Sequence, residues 1–196
     1  MKSNPRFEIF TGPMFGGKTT RLLSSLERYT YQNKNVLLFK PRVDTRYSDS
    51  SIITHSGISW SGNKNSFSKV IRVETSKELF SLFKSYNQKF DVDVVALDEA
   101  FMIEDVSESL IKIYKMGKTV LVSSLQLSSG GTPYKEMNKI LPWATSVQIC
   151  PAVCSICGED AYYTSKSSGK NHDSIEVGGS EMYQPRCFQH FINEIS

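Results

Sequence analysis

The sequence contains 196 residues, of which 39% are hydrophobic, 22% charged and 11% aromatic, and its formal net charge is +3. This composition predicts a globular chain with a full hydrophobic core and excludes general disorder. It also argues against a membrane protein, because no run approaches the roughly 20 apolar residues of a membrane-spanning helix, and against a nucleic-acid partner, because no dense lysine and arginine block is present.

Strands and helices are predicted to alternate along the first three quarters of the chain. Short apolar runs predict strands over 6–11, 35–40, 94–97, 118–123 and 145–149, of which those over 6–11, 94–97 and 118–123 are expected to be buried. Apolar residues at helical spacing predict helices over 18–31, from an N-cap at Ser76 onward, over 105–115 and over 133–140. Residues 43–70 are rich in Ser, Asn, Gly and Thr and predict a long loop. The alternation predicts an α/β fold with a parallel sheet flanked by helices.

The composition changes after Ile149. Residues 150–191 contain all four cysteines and show no clear helical period before the C-terminus. A segment of this size buries too little apolar surface to hold itself together, so it needs a staple. We therefore predict two domains, residues 1–149 and residues 150–196. The N-terminus lacks a signal-peptide pattern, and the cysteines do not suggest a disulfide framework, so we expect a cytoplasmic location.

A glycine-rich segment separates the first predicted strand from the first predicted helix. Residues 12–19 fit the phosphate-loop pattern G-x-x-x-x-G-K-[ST]. In such a loop, backbone N–H groups and the helix N-terminus bind phosphate oxygens. We expect Lys18 to contact the β- and γ-phosphates and the Thr19 hydroxyl to bind Mg²⁺. The predicted phosphate-binding residues are Gly12, Pro13, Met14, Phe15, Gly16, Gly17, Lys18, Thr19 and Thr20.

Charged residues follow two of the predicted strands. Asp98 and Glu99 come directly after the strand over 94–97. An acid at the carboxyl end of a buried strand can reach Mg²⁺ beside a phosphate loop, and Asp98 fits this role. Glu99 is then placed to accept a proton from an attacking hydroxyl or from water. After the second strand, Asp44 could position Mg²⁺ through water and Arg46 could contact a phosphate or a substrate hydroxyl, although both also fit a solvated loop.

Three of the four cysteines have the spacing of metal ligands. The pairs Cys154/Cys157 and Cys187/His190 form a C-x₂-C and a C-x₂-H motif separated by 29 residues. Thiolates and an imidazole at these spacings predict a closed tetrahedral Zn²⁺ site. Four protein ligands leave no open position, so the zinc is expected to be structural and to supply the staple. Cys150 has no partner in the sequence and is expected to be a buried strand residue.

These motifs together resemble those of the type II, cytosolic-type thymidine kinases. The resemblance extends over about 7–191 and rests on GPMFGGKTT at 12–20, KPRVDTRYSDSSIITH at 40–55, VVALDEA at 94–100, GKTVLV at 117–122, AVCSIC at 152–157 and VGGSEMYQPRCFQH at 177–190. It implies a RecA-like phosphate-loop sheet followed by a small zinc-stapled lasso module. Similarity to the family also implies a homotetramer.

The resemblance implies phosphorylation of the 5′-hydroxyl of thymidine, or of a closely related deoxyuridine, with ATP and Mg²⁺. By matching position, Glu99 is the general base, Asp98 the Mg²⁺ partner, and Arg46 the arginine near the reacting phosphate. Residues 165–183 match a lasso loop that closes over the nucleoside and whose ends the zinc holds. The residues implied to contact the nucleoside are Met14, Met102, Leu125, Ser129, Thr164, Val177, Gly178, Gly179 and Tyr183.

The sequence departs from the family pattern around the base. The family usually has Asp-Glu-Ala-Gln-Phe-Phe, where this chain has Phe101 and Met102 after Ala100. An aromatic residue expected to pack on the base is replaced by Ser129, and Lys166 stands where an arginine is common. Base stacking on an aromatic side chain contributes about 1–3 kcal/mol. The phosphate-transfer residues match the family, whereas base specificity is predicted to be altered.

Other functions share parts of this pattern. Asp-Glu-Ala at 98–100 also resembles a helicase motif, but the chain lacks the length for a second RecA-like lobe. A nucleoside monophosphate kinase with a zinc lid normally carries that lid within its core, not after it. A GTPase is disfavoured because residues 63–66 lack the aspartate that reads guanine. A non-catalytic relative stays open because of the altered pocket, although Lys18 and Glu99 argue against it.

Overall fold

The computed structural model describes residues 4–44, 52–53, 59–60, 66–167 and 177–195. Its strands are β1 Phe7–Thr11, β2 Val36–Pro41, β3 Ile52–Ile53, β4 Ser59–Trp60, β5 Ser68–Val73, β6 Val94–Leu97, β7 Thr119–Ser124, β8 Ser146–Ile149, β9 Ala152–Val153, β10 Asp160–Ala161, β11 Tyr163–Lys166 and β12 Tyr183–Arg186. Its α-helices are α1 Lys18–Tyr31, α2 Ser76–Phe90, α3 Val106–Lys115, α4 Lys135–Ile140 and α5 Phe188–Ile195. Two short 3₁₀ helices span Ala100–Met102 and Leu141–Trp143.

Six parallel strands form the central sheet in the order β5-β2-β6-β7-β1-β8. The prediction of a parallel α/β sheet flanked by helices is therefore confirmed. Strand β7 lies between β1 and β6, with Phe10 opposite Ser123 and Leu97 opposite Val122. Because the carboxyl ends of parallel strands share one edge, the segments after β1, β6 and β7 are neighbours there.

Alternate residues along the strands bury apolar side chains on both faces of the sheet. On one face, Leu37 and Phe39 pack with apolar residues of α2, α3 and α4. On the other face, Leu38 packs with Leu22 and Leu26 of α1. Strands β2, β6 and β7 are buried along their whole length, as expected for a parallel sheet covered by helices on both sides.

The structure differs from the sequence-based expectation in local details. Strands β3 and β4 lie inside the segment predicted to be a loop, and strand β5 begins there, at Ser68. It is an edge strand whose side chains are mostly only partly buried, so its apolar pattern is weak. Helix α2 is capped by Thr75 and not by Ser76, because the Thr75 hydroxyl accepts the N–H of Glu78 at 3.1 Å.

The chain after β8 changes to antiparallel pairing. Strand β9 pairs with β10, and β11 pairs with β12 so that Thr164 lies opposite Pro185. Helix α5 follows β12, and its Phe191 stacks on Tyr163 of β11 with ring centroids 4.7 Å apart. Within the described ranges, no helix combines the length and apolarity needed to cross a membrane.

Candidate active site

The segment between β1 and α1 turns closely against the end of β8. Gly12 has a φ of +135° and Gly17 a φ of +73°, conformations that residues with a side chain rarely adopt. A Cβ on Gly12 or Gly16 would overlap the carbonyl oxygen of Cys150. Glycine is therefore required for the loop to keep this shape. The loop ends where α1 begins, so it lies at the positive end of the helix dipole.

Lys18 and Thr19, in the first turn of α1, connect the loop to its surroundings. The Lys18 side chain is buried, and its Nζ donates to the carbonyl oxygen of Pro13 at 2.7 Å. The Thr19 hydroxyl lies 3.0 Å from Oδ1 and 3.1 Å from Oδ2 of Asp98. The structure thus brings the glycine-rich loop and the carboxyl end of β6 together.

Asp98 lies directly after β6 and is 3% exposed. Its Oδ1 accepts hydrogen bonds from the hydroxyl groups of Ser123 and Thr19. Burial, followed by the nearby charge of Glu99, raises the pKa of Asp98 to about 6, although these two hydrogen bonds and Lys40 oppose the rise. A bound cation would stabilise the ionised form. The convergent oxygens of Thr19 and Asp98 fit Mg²⁺, which prefers oxygen ligands.

Glu99 adopts an unusual backbone conformation at the start of the 3₁₀ helix Ala100–Met102. Its φ of 51° and ψ of 47° lie in the left-handed region. The N–H of Glu99 donates to Ser123 Oγ at 3.4 Å, and its carbonyl oxygen accepts the N–H of Met102 at 3.1 Å. Such a conformation persists only where surrounding contacts fix it, and it is frequent at functional sites. The charge of the Glu99 carboxylate acts on Asp98, so the two acids lie close together at the carboxyl end of β6.

A buried ion pair lies after the neighbouring strand β2. Lys40 Nζ is 3.5 Å from Asp44 Oδ2, and both side chains are only 2% exposed. Arg72 of β5 donates to the backbone carbonyl oxygen of Asp44 at 3.3 Å. Lys40 also contributes to the electrostatics of Asp98. Lys40 therefore links Asp44 to Asp98 electrostatically. Arg46 lies outside the described residues.

The four predicted metal ligands lie together in the chain after β8. Cys154 and Cys157 flank a turn closed by a 3.0 Å hydrogen bond from Gly158 N–H to the Cys154 carbonyl oxygen. The ligand atoms of Cys154, Cys157, Cys187 and His190 all lie within 4.8 Å of one another. The closest pairs are 3.1–3.7 Å apart. Tetrahedral Zn²⁺ with bonds of about 2.0–2.3 Å holds its ligands roughly 3.5–3.8 Å apart, so the cluster fits a structural zinc.

The protonation of this cluster also suits a metal. Although burial opposes the change, backbone N–H groups of Cys187, Cys157 and Ile156 lower the pKa of Cys154 to about 6. A thiol that ionises near neutral pH is ready to bind zinc, because the thiolate is the ligand. Arg186 ties the cluster to its surroundings, since its Nε lies 2.6 Å from Glu194 of α5 and its Nη1 donates to Ser155.

Comparison with known proteins identifies the family. A family model described as thymidine kinase matches residues 6–191. The chain belongs to the thymidine kinase family. A thymidine kinase of Thermococcus kodakarensis is 31% identical over 191 residues, covering 94% of this chain and 93% of the relative. A thymidine kinase of Pyrobaculum aerophilum is 28% identical over 190 residues, with 94% and 97% covered. The chain is therefore an enzyme of the thymidine kinase class, which phosphorylates thymidine.

The residues predicted to contact the nucleoside fall on several segments of the chain. The N–H of Met14, in the glycine-rich loop, donates to Thr164 Oγ1 of β11 at 2.9 Å. This bond joins two members of the predicted set across 150 residues of sequence. Thr164 is buried, and so are three further members: Leu125, Ser129 and Tyr183. Met14, Met102, Val177, Gly178 and Gly179 are partly exposed.

The two described ends of the predicted lasso segment lie side by side. Ser167 N–H donates to the Met182 carbonyl oxygen at 2.7 Å, which extends the pairing of β11 with β12. The Gly179 carbonyl oxygen accepts the N–H groups of Met182 and Tyr183 at 3.1 and 3.0 Å, closing a turn. Residues 168–176 of the predicted lasso lie outside the described part of the chain.

Three side chains near the site were not singled out from the sequence. Ser123 contacts both Asp98 and Glu99, and Lys40 pairs with Asp44. Ser123 and Lys40 are polar residues near the carboxyl ends of largely apolar strands, and that pattern could have revealed them. Tyr134 packs on Phe101 with ring centroids 4.8 Å apart. These two aromatic rings lie on the segments that carry Met102 and Ser129, where the family pattern predicts aromatic residues.

Proposed function

We propose that this chain transfers the γ-phosphoryl group of ATP, with Mg²⁺, to the 5′-hydroxyl of thymidine or a closely related deoxyuridine, and that Glu99 is the general base. The contact between Thr19 and Asp98 carries this proposal. It joins the glycine-rich loop to the acidic end of β6 and sets Glu99 beside them. Phosphoryl transfer requires this combination of phosphate cradle, cation ligands and proton acceptor.

The glycine-rich loop supports binding of the ATP phosphates. Its glycine backbone and the start of α1 offer N–H groups and a partial positive charge to phosphate oxygens. Lys18 exchanges the Pro13 carbonyl oxygen for a phosphate oxygen when the nucleotide binds, because an anion is the stronger acceptor for an ammonium group. Thr19 and Asp98 would hold Mg²⁺, and Asp44 would contribute to its binding. When bound, Mg²⁺ neutralises the charge of the phosphates.

The position of Glu99 supports its role as base. Asp98 beside it is occupied by Thr19 and Ser123, so the two acids have separate tasks. Glu99 accepts the proton of the 5′-hydroxyl as that oxygen attacks the γ-phosphorus, and the bond to the leaving phosphate oxygen breaks. Arg46 contacts the reacting phosphate region.

The chain after β8 forms the second domain of this proposal. Residues 1–149 bind the nucleotide, and residues 150–196 form a lid over the nucleoside. The zinc ligands fix β9, β10 and the start of α5, and the hydrogen bond from Met14 to Thr164 joins the lid to the loop. The nucleoside contacts are those named from the family pattern. We further propose a cytoplasmic homotetramer, on the basis of family resemblance.

The test of this function is monophosphate formation from a panel of deoxynucleosides, with ATP, MgCl₂ and the zinc-loaded protein. Thymidine should be phosphorylated, and Glu99→Gln should lower kcat by about 10²–10⁴-fold, the usual contribution of a general base. Glu104→Gln is the matched control, because Glu104 is an exposed glutamate five positions further along the chain. It should leave kcat within about two-fold of wild type.

The other outcomes are equally informative. Turnover of a different deoxynucleoside only would keep the reaction and change the substrate. Equal turnover by wild type and Glu99→Gln would remove Glu99 as the base. ATP hydrolysis stimulated by DNA, without any nucleoside product, would favour the nucleic-acid ATPase instead.

A further inference from the structure

Ser123 lies in the central strand β7, next to both acids of the proposed site. It is the penultimate residue of β7, the strand between the glycine-rich loop strand β1 and the acidic strand β6. Its side chain is 0% exposed. Its hydroxyl donates to Asp98 Oδ1 and accepts the N–H of Glu99 at 3.4 Å. A single buried hydroxyl thus contacts both acids of the proposed reaction.

Packing alone does not account for a serine at this position. The preceding residues of β7, Val120 to Val122, are apolar and fully buried. A hydroxyl in such surroundings costs free energy unless it is hydrogen-bonded. At Ser123 both the donor and the acceptor function are satisfied, and the partners are groups of the site and not of the sheet.

We propose that Ser123 is a positioning residue for phosphoryl transfer, which holds the Asp98 carboxylate and the peptide of Glu99 in their working orientation. This inference rests on the proposed function. Thr19 approaches the same carboxylate from the loop, where it is partly exposed. Ser123 approaches from the protein interior. The carboxylate is therefore fixed from inside by a group that no ligand displaces, while its loop-facing side serves the cation.

Ser123 also supports the left-handed conformation of Glu99. That conformation is unfavourable for a residue with a side chain and needs external support. The bond from the Glu99 N–H to Ser123 Oγ supplies part of that support. Without it, we expect the Glu99 carboxylate to sample orientations away from the substrate hydroxyl.

Ser124 offers a matched control one residue further along the chain. It is also a serine, is also 0% exposed, and donates to the Leu125 carbonyl oxygen at 3.1 Å. Ser123→Ala and Ser124→Ala therefore delete the same buried atom. Only the first deletion removes the described bonds to Asp98 and Glu99. Ser123→Cys keeps an atom at the γ position, although sulfur is larger than oxygen, and it offers only a weak donor.

The experiment measures kcat, the KM for ATP and for thymidine, and the Kd of Mn²⁺ with a non-hydrolysable ATP analogue, for wild type and the three variants. Ser123→Ala and Ser123→Cys should lower kcat about ten-fold or more, as expected for loss of a hydrogen bond to a charged group. Both KM values should stay within about two-fold. The Mn²⁺ Kd should rise several-fold. Ser124→Ala should change each quantity less than about two-fold.

Two results would overturn the inference. In one, Ser123→Ala and Ser124→Ala have the same kcat and the same Mn²⁺ affinity. In the other, Ser123→Cys retains wild-type kcat, which would show that a strong hydrogen bond from this position is not needed. Failure of the proposed function is distinguishable, because wild type would then phosphorylate no deoxynucleoside. In that case the Mn²⁺ measurement alone decides whether Ser123 orients Asp98.

Discussion

The chain before Cys150 and the chain after it are stabilised in different ways. The first part buries two apolar clusters, one on each face of a six-stranded sheet. In the second part, the described apolar cluster is small and consists of Ala152, Cys154 and Ala161 with Cys187 packed against it. Two of these are metal ligands by our assignment. The sheet is therefore stabilised by apolar burial, whereas the later segment depends on its ligand cluster.

The two parts nevertheless meet at the proposed site. Cys150 donates its N–H to the Thr11 carbonyl oxygen at 2.7 Å, and its own carbonyl lies against Gly12 and Gly16. Gly131, after β7, lies next to Phe191 of α5. The chain after Cys150, which has few apolar contacts of its own, thus lies against the proposed site on the sheet. Order in the later segment should consequently control activity more than overall stability.

The largest expected effect follows from removing a zinc ligand. Cys157 is exposed, so Cys157→Ser removes almost no packing but takes one thiolate from the cluster. Because a structural zinc contributes about 10–16 kcal/mol to folding of a small unit, we expect the elements β9 to α5 to lose their structure. Hydrogen exchange should show loss of protection in β9 to α5, with protection in β2, β6 and β7 retained. Kinase activity should fall by about 100-fold or more.

Ile156→Ser is the control for this variant. Ile156 lies within the same turn, is exposed and is not a ligand, so exchange and activity should match wild type. Loss of protection throughout the sheet together with the later segment would contradict the comparison, because it would show that the two parts unfold as one unit. Unchanged exchange in Cys157→Ser would show that zinc does not stabilise this segment.

The strands of the first part could be predicted from the sequence more completely than those of the second part. Strands β2, β6 and β7 contain continuous apolar runs, which identify buried parallel strands directly. Strand β5 lies at the sheet edge with partly buried side chains, and its mixed pattern did not distinguish it from a loop. The antiparallel pairs β9–β10 and β11–β12 are two to four residues per strand, too short to show a period.

The site shows a similar division between local and distant contacts. The glycine-rich loop and the ligand spacings are local in sequence, and the four metal ligands do lie together. The bonds of Ser123 to Asp98 and of Met14 to Thr164 join residues 25 and 150 positions apart, and only the fold reveals them. A polar residue near the end of an apolar strand marks Ser123 as a candidate, but its partners depend on which strand lies beside it.

The second prediction concerns the free energy of unfolding that the protein loses by burying the ionised Asp98. Asp98→Asn should stabilise the protein without added magnesium by about 2–3 kcal/mol at neutral pH, because ionising a buried acid with a raised pKa opposes folding. The amide oxygen can still accept from Thr19 and Ser123. Protonated aspartate carries no such penalty, so the gain should vanish below pH 3.8 and build up between pH 3.8 and pH 6. Urea unfolding of both proteins across this range measures it, and kinase activity should be lost.

Asp93→Asn is the control for the pH dependence. Asp93 is half-exposed and pairs with Lys34 at 3.3 Å, so its removal should not stabilise the protein at any pH. A pH-independent difference between wild type and Asp98→Asn would show that Asp98 is not destabilised by burial. That result would also show that the proposed site does not destabilise the sheet that carries it.

The smallest expected effect comes from the single hydrogen bond between Met14 and Thr164. Thr164→Val keeps the shape of the side chain but removes the oxygen that accepts the Met14 N–H. Loss of one such bond costs about 0.5–1.5 kcal/mol, so the free energy of unfolding should fall by that amount. If the bond holds the later segment against the glycine-rich loop, the KM for thymidine should rise about two- to five-fold while kcat changes little. Thr164→Ser retains the hydroxyl and should preserve both the KM for thymidine and the free energy of unfolding more closely. An unchanged KM for thymidine in Thr164→Val would show that this bond does not couple the two parts of the chain.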